Sequence, residues 1–153
     1  MKASVKRNVA NPVFDELLKT LLPLKAPFIY VDEVFDEFDN IALLDAREKK
    51  EFNVSHLQNA FYVGYKDFNI EQLPKFTNDK KIVVYCSVGL RSANIAEKII
   101  KAGYKNIYNL YGGIFEWCNA KRPVYSNSRE VNEVHAYSKI WKAWLRKGIK
   151  AVT

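Results

Sequence analysis

Cys86 ends the apolar, β-branched run Ile82-Val83-Val84-Tyr85 and precedes Ser87-Val88-Gly89-Leu90-Arg91-Ser92, after which a helical pattern continues from Ala93 to Ala102. The order strand, cysteine, short loop, helix predicts a thiol at the carboxyl end of a buried strand. It would face a helix N-terminus, whose field favours an anionic sulfur. Successive loop N–H groups, with Arg91, would cradle an anion bound at that sulfur. A nucleophilic sulfur beside a ready anion pocket points to group-transfer chemistry at Cys86. A free cysteine can also be a small packing hydrophobe, but packing has no need of a glycine and an arginine in this order.

The elements that must position this loop are visible in the hydropathy period. Phe14, Leu17, Leu18, Leu21 and Leu22 make a helical stripe over residues 13–22, ended by Pro23 and Pro27. Strands are predicted at 28–31, 41–44 (ending at Asp45), 60–63, 80–85 and 106–110. Between them lie a short helix capped by Asp32, charged turns at 47–52 and 70–73, and the helix 92–102, stopped by Gly103. Gly112-Gly113 turns the chain into a last core helix, 114–119. This alternation predicts an α/β fold, a five-stranded parallel sheet with helices on both faces. Such sheets bind ligands at the carboxyl ends of their strands, where both Cys86 and Asp45 fall.

Composition narrows the class further. The chain has 153 residues, 48% hydrophobic and 14% aromatic, which suits one folded domain. Its only cysteines are Cys86 and Cys118, and its only histidines His56 and His135. That is too few for a disulfide framework and lacks zinc-ligand spacing, so no metal is expected. The polar start Met1 to Ala10 has no apolar leader region, and no apolar run reaches membrane-spanning length. With a free reactive thiol, this predicts a cytoplasmic protein with no transmembrane segment.

The net charge of +7 is uneven: −2 over residues 1–40, +3 over 41–120 and +6 over 121–153. The basicity therefore belongs mainly to the tail. There, Ile140, Trp141, Trp144 and Leu145 form an apolar stripe over residues 138–147, with Lys142, Arg146, Lys147 and Lys150 adding charge and Gly148 as the stop. This predicts a basic amphipathic helix packed on the domain, while contact with an acidic partner, RNA or an anionic membrane surface stays open. No DNA contact is expected. Elsewhere, His56 reads as a structural donor and Cys118 as a buried hydrophobe rather than a resolving thiol. Tyr62 and Tyr65 read as packing or pocket-rim residues, and Trp117 as core.

Three segments carry a family resemblance. Leu43-Leu44-Asp45-Ala46-Arg47-Glu48 with Glu51-Phe52 and His56-Leu57, then Cys86-Ser87-Val88-Gly89-Leu90-Arg91-Ser92, then Leu110-Tyr111-Gly112-Gly113-Ile114 with Trp117, resemble the motifs of single-domain rhodaneses in order and spacing. The resemblance runs from about Phe28 to Pro123. It implies sulfur transfer through a persulfide on Cys86, without a cofactor. It also implies that the loop Ser87, Val88, Gly89, Leu90, Arg91 and Ser92 binds the donor. Arg91 would supply charge for an anionic donor, and Asp45 and Arg47 would support the loop. Asn59 stands where family members often have glycine, and asparagine tolerates the left-handed turn. Ser87 stands where active members often carry a basic residue, which argues against a dianion as the preferred donor.

The implied donor is a small sulfane-sulfur compound or a protein, and the acceptor a thiol or a carrier protein. Two other classes are weighed against this one. Cysteine-dependent phosphatases use a similar Cys-to-Arg loop that is one residue longer, to hold a phosphoryl group. A rhodanese-like binding or regulatory module would typically have lost the cysteine. The expected organisation is an N-terminal helical extension (1–27), the rhodanese-like domain (28–125) and the basic extension (126–153).

Overall fold

The structure, a computed structural model, describes residues 9–153; the polar segment Met1–Asn8 lies outside the described residues. Its centre is a sheet of β1 (Phe28–Ile29), β2 (Ile41–Asp45), β3 (Phe61–Tyr62), β4 (Lys81–Tyr85) and β5 (Ile107–Leu110). The strands are all parallel, in the order β1-β5-β4-β2-β3. β4 sits in the middle and is buried on both faces, which is why it reads as an unbroken apolar run. Side chains alternate across it. Val83 and Tyr85 join a core with Phe14, Leu18 and Trp117 on one face, while Ile82 and Val84 join Leu73, Ile95 and Ile99 on the other.

The helices α1 (Pro12–Leu21), α2 (Val31–Asp36), α3 (Lys49–Val54), α4 (Leu90–Lys101) and α5 (Gly113–Asn119) flank the sheet on both faces. Asn11 caps α1, its Oδ1 accepting from the Val13 and Phe14 N–H groups at 2.9 and 3.3 Å. Two boundaries differ from the sequence expectation. β1 stops at Ile29 because the Tyr30 N–H is taken by the Glu33 carboxylate at 3.3 Å, which starts α2 at Val31. α4 begins at Leu90 rather than Ser92, because Gly89, at φ +123°, turns the chain directly into the helix. Arg91 thus belongs to the first helical turn.

The C-terminal region departs most. The expected helix over 138–147 shrinks to α6 (Lys139–Lys142). Before it come an antiparallel hairpin of β6 (Val124–Ser126) and β7 (Arg129–Val131), then β8 (Glu133–His135), which pairs in parallel with β9 (Lys150–Val152). Tertiary partners outcompete helix continuation. The Asn119 side chain donates to the Trp144 carbonyl and accepts from the Arg146 N–H, both at 2.8 Å. Trp144 stacks on Phe14 with ring centroids 5.4 Å apart. Ile140, on the predicted apolar stripe, is left exposed. No helix among the described residues is long and apolar enough to cross a membrane.

Candidate active site

Cys86 follows directly on β4 and is almost fully buried. The Gly89 N–H donates to its Sγ at 3.1 Å. Ser92 Oγ lies 3.3 Å from Sγ and 2.6 Å from Asn109 Oδ1. A hydroxyl has one proton, so it can serve the sulfur or Asn109 but not both. A neutral thiol can donate to Ser92 Oγ while Ser92 donates to Asn109; a sulfur without its proton can take the Ser92 proton instead. Asn109 Nδ2 also donates to the Gly89 carbonyl at 3.0 Å, tying the loop to β5.

The loop is held from below by α5. The Ile114 and Phe115 N–H groups donate to the Cys86 and Ser87 carbonyls at 3.0 and 3.1 Å. This approach requires glycine at 113, where a Cβ would collide with the Cys86 and Ser87 carbonyls. The closing Gly-Gly motif is therefore part of the cysteine loop's support.

Arg91 does not stand alone. Its Nη1 and Nη2 donate to Glu51 Oε2 and Oε1 at 2.8 and 2.9 Å, and Nη2 also donates to Ser87 Oγ at 3.0 Å. Burial opposes the charge on Glu51, but hydrogen bonding and attraction from Arg91 outweigh it and hold the carboxyl below its ordinary value. Burial likewise opposes the Arg91 charge, and Glu51 reverses the shift.

Asp45 and Arg47 form a fully buried pair, with Nη2 to Oδ2 at 2.7 Å. Arg47 Nη2 also donates to the Ser55 carbonyl just past α3, at 2.6 Å. Neither lines the cysteine pocket. Arg47, paired with Asp45, thereby ties the chain just past the helix that carries Glu51.

The space above Cys86 has a volume of about 100 Å³. Val88, Leu90 and Arg91 line it from the loop and α4, and Tyr137 and Trp141 from the tail. A larger cleft of about 380 Å³, walled by Tyr62, Asp67 and Leu73 among others, contains no cysteine. Tyr65 accepts a hydrogen bond from Asn94 at 2.9 Å. His56 stacks on Phe52, with its Nδ1 3.1 Å from the Phe52 carbonyl. Cys118 is buried on α5, and burial pushes its thiol up to about 12. Trp117 is core, its indole N–H donating to the Pro123 carbonyl. Asn59 adopts the left-handed turn, at φ +63°. Among the described residues, no group of three or more His, Cys, Asp and Glu side chains could hold a metal ion.

The sequence alone gives no site role to Glu51, Asn109, Tyr137 or Trp141. Asn109 did carry a signal, as a polar residue inside an apolar strand, and such residues are buried only with partners. Glu51 lies in the segment 43–57 that carries the first stretch of family resemblance, but nothing local links it to Arg91.

A parallel α/β sheet with a cysteine loop cradled at the carboxyl end of its central strand defines a recognisable class of domain. Residues 30–120 match the rhodanese-like domain family, and the chain belongs to it. A thiosulfate sulfurtransferase, GlpE, of Haemophilus influenzae is 36% identical over 83 residues, covering 54% of this chain and 77% of that protein. A tRNA uridine(34) hydroxylase of Photorhabdus laumondii is 34% identical over 125 residues, 76% of this chain but only 34% of that protein. A rhodanese-related protein of Thermoplasma volcanium superposes with a TM-score of 0.58 at 27% identity, covering 65% of this chain and 98% of that one. Membership of this family is consistent with sulfurtransferase-type chemistry.

Proposed function

We propose that the protein is a sulfurtransferase that carries a sulfane sulfur as a persulfide on Cys86. One observation carries this reading: Cys86 Sγ is met by the Gly89 N–H and approached by the Ser92 hydroxyl at the floor of a pocket with room for little more than the sulfur end of a donor. The Cys86 thiolate attacks the sulfane sulfur of the donor. An S–S bond forms to Cys86 as the donor's S–S bond breaks, and the electron pair leaves with sulfite or a thiolate. An acceptor nucleophile then attacks the outer sulfur, and the Cys86 thiolate is restored without an external oxidant or reductant. The Gly89 N–H, and Ser92 when it turns toward the sulfur, offset the charge that moves through this atom.

The geometry supports these roles within the proposal. Cys86 is the nucleophile, and residues 87–92 form the cradle. Arg91 and Ser87 are held by Glu51, while Asp45 and Arg47 position α3. The transferring unit is taken as residues 28–125, flanked by the extensions 1–27 and 126–153. A thiol that must cycle suits a reducing compartment, so cytoplasmic placement is part of the proposal.

Intact-protein mass spectrometry after exposure to sulfane-sulfur donors tests the reading, with Cys86→Ala as control. One added, reductant-labile sulfur on the wild type alone supports it. No gain from small-molecule or protein donors, in a folded sample with a free Cys86 thiol, overturns it in favour of a binding module.

A further inference from the structure

The segment after β8 closes over Cys86. Tyr137 has φ +65°, a region that bulky residues seldom occupy and that marks backbone held by its surroundings. Its N–H donates to His135 Nδ1 at 3.0 Å, and this turn lays the Tyr137 ring 4.5 Å from Arg91 Cζ. Ser138 Oγ then accepts the Trp141 N–H at 3.3 Å, starting the short α6 that sets Trp141 in the pocket wall. The wall is fastened on both sides. The Ala136 N–H donates to the Val152 carbonyl at 2.7 Å, and Trp144 is held by Phe14 and Asn119.

The charge of the pocket is already balanced. Among the described residues lining it, Arg91 is the only charged one, and both its terminal nitrogens are taken by the Glu51 carboxylate. The Gly89 N–H and the Ser92 hydroxyl serve the sulfur next to Cys86, but the outer charge of a dianion would give up water for a neutral ion pair and the apolar surfaces of Val88, Leu90 and Trp141, which is unfavourable. Size adds a second filter. The space of about 100 Å³ between the loop and the residues Tyr137 and Trp141 leaves room for little beyond a donor's sulfur end, so bulk next to that sulfur meets those two residues.

Resting on the sulfurtransferase reading above, we infer that Tyr137 and Trp141 are specificity-determining residues. They restrict the pocket to the persulfide of a small, uncharged organic thiol and exclude thiosulfate and tripeptide-sized persulfides. In the transfer, the Cys86 thiolate attacks the outer sulfur of R–S–SH and a new S–S bond forms. The donor's S–S bond breaks, its pair leaves as R–S⁻, and the proton stays on the transferred sulfur.

The test follows persulfide formation on Cys86 over time by intact mass, using the full chain. Donors are ethyl hydropersulfide released in situ, thiosulfate and glutathione persulfide. Tyr137→Ala, Trp141→Ala and the conservative Trp141→Phe are compared with wild type, with circular dichroism as the check on folding. Wild type should load from ethyl hydropersulfide at least about tenfold faster than from the other two, the scale on which apolar pockets discriminate by size. Either alanine variant should bring the ethyl-to-glutathione ratio within about threefold, while Trp141→Phe keeps most of the preference. Faster wild-type loading from thiosulfate overturns the inference. Unchanged ratios in folded alanine variants that still load also overturn it, and leave sulfur transfer standing. Loading from none of these three donors overturns the inference, and sulfur transfer is then decided by the protein donors of the preceding test.

Discussion

Arg91 and Glu51 lie 40 residues apart in the chain, yet the two terminal nitrogens of the guanidinium meet the two carboxylate oxygens at 2.8 and 2.9 Å. The Glu51 side chain is fully buried and that of Arg91 mostly buried. The cation beside the cysteine is therefore internally paired. Paired buried charges hold geometry well, but breaking one side leaves the other uncompensated.

Glu51→Gln keeps the side chain's shape and removes its charge. It should destabilise the fold by about 2 kcal/mol or more, because Arg91 loses its counter-ion. The freed charge should raise the rate of loading from thiosulfate relative to an uncharged donor. Denaturant midpoints and donor-resolved loading check the two effects. A variant with unaltered donor ratios would show that the pairing is structural only.

Gly113→Ala should damage the site from underneath. Gly113 has φ +57°, and an added Cβ would lie 2.5 Å from the Ser87 carbonyl oxygen. The loop and α5 must then separate, at a cost of about 3 kcal/mol. Hydrogen exchange at Ile114 and Phe115, whose N–H groups hold the loop carbonyls, should accelerate selectively. Protection equal to wild type would rule out this coupling.

Stability should depend on pH through two carboxylates of opposite sense. Burial pushes Glu116 up to about 7, with Oε1 accepting the Ala10 N–H at 2.9 Å and Oε2 having no hydrogen-bond partner among the described residues. The folded state holds this proton more tightly than the unfolded chain, so stability is lost as pH rises from about 4.5 to about 7. Glu51 is lowered, so its contribution is present above its ordinary value near 4.5 and lost as pH falls through its folded value. Glu116→Gln should remove the first slope and stabilise the protein at pH 8 by about 2 kcal/mol. Thermal melts across pH 4–8 measure it, and parallel curves for variant and wild type would refute the assignment.

The two thiols should react very differently. Cys118 is buried on α5 with its thiol pushed up to about 12, while Cys86 opens on a pocket. Iodoacetamide at pH 8 should label the native protein once, at Cys86, with Cys118 labelled only after denaturation. Peptide mapping distinguishes the sites, and early labelling at Cys118 would contradict its burial.

The part of the fold legible from the residues is local in origin. The apolar run before Cys86 made a doubly buried strand, Gly89 made the turn into α4, and Gly112-Gly113 made the turn into α5. Hydrophobic period and glycine punctuation act between near neighbours, so the parallel sheet and the placement of the cysteine were readable without a structure. The tail shows where such reading stops. Its apolar stripe had helical spacing, but the side chain of Asn119 and the ring of Phe14 hold Trp144 and Arg146 in another path. Likewise, the pairing of Arg91 with Glu51 and the closing of the pocket by Tyr137 and Trp141 depend on how α3 and the C-terminal segment dock against the sheet. Those contacts join residues 25 or more positions apart, and local propensity carries no information about which distant groups will meet; the docking of the elements on one another settles it.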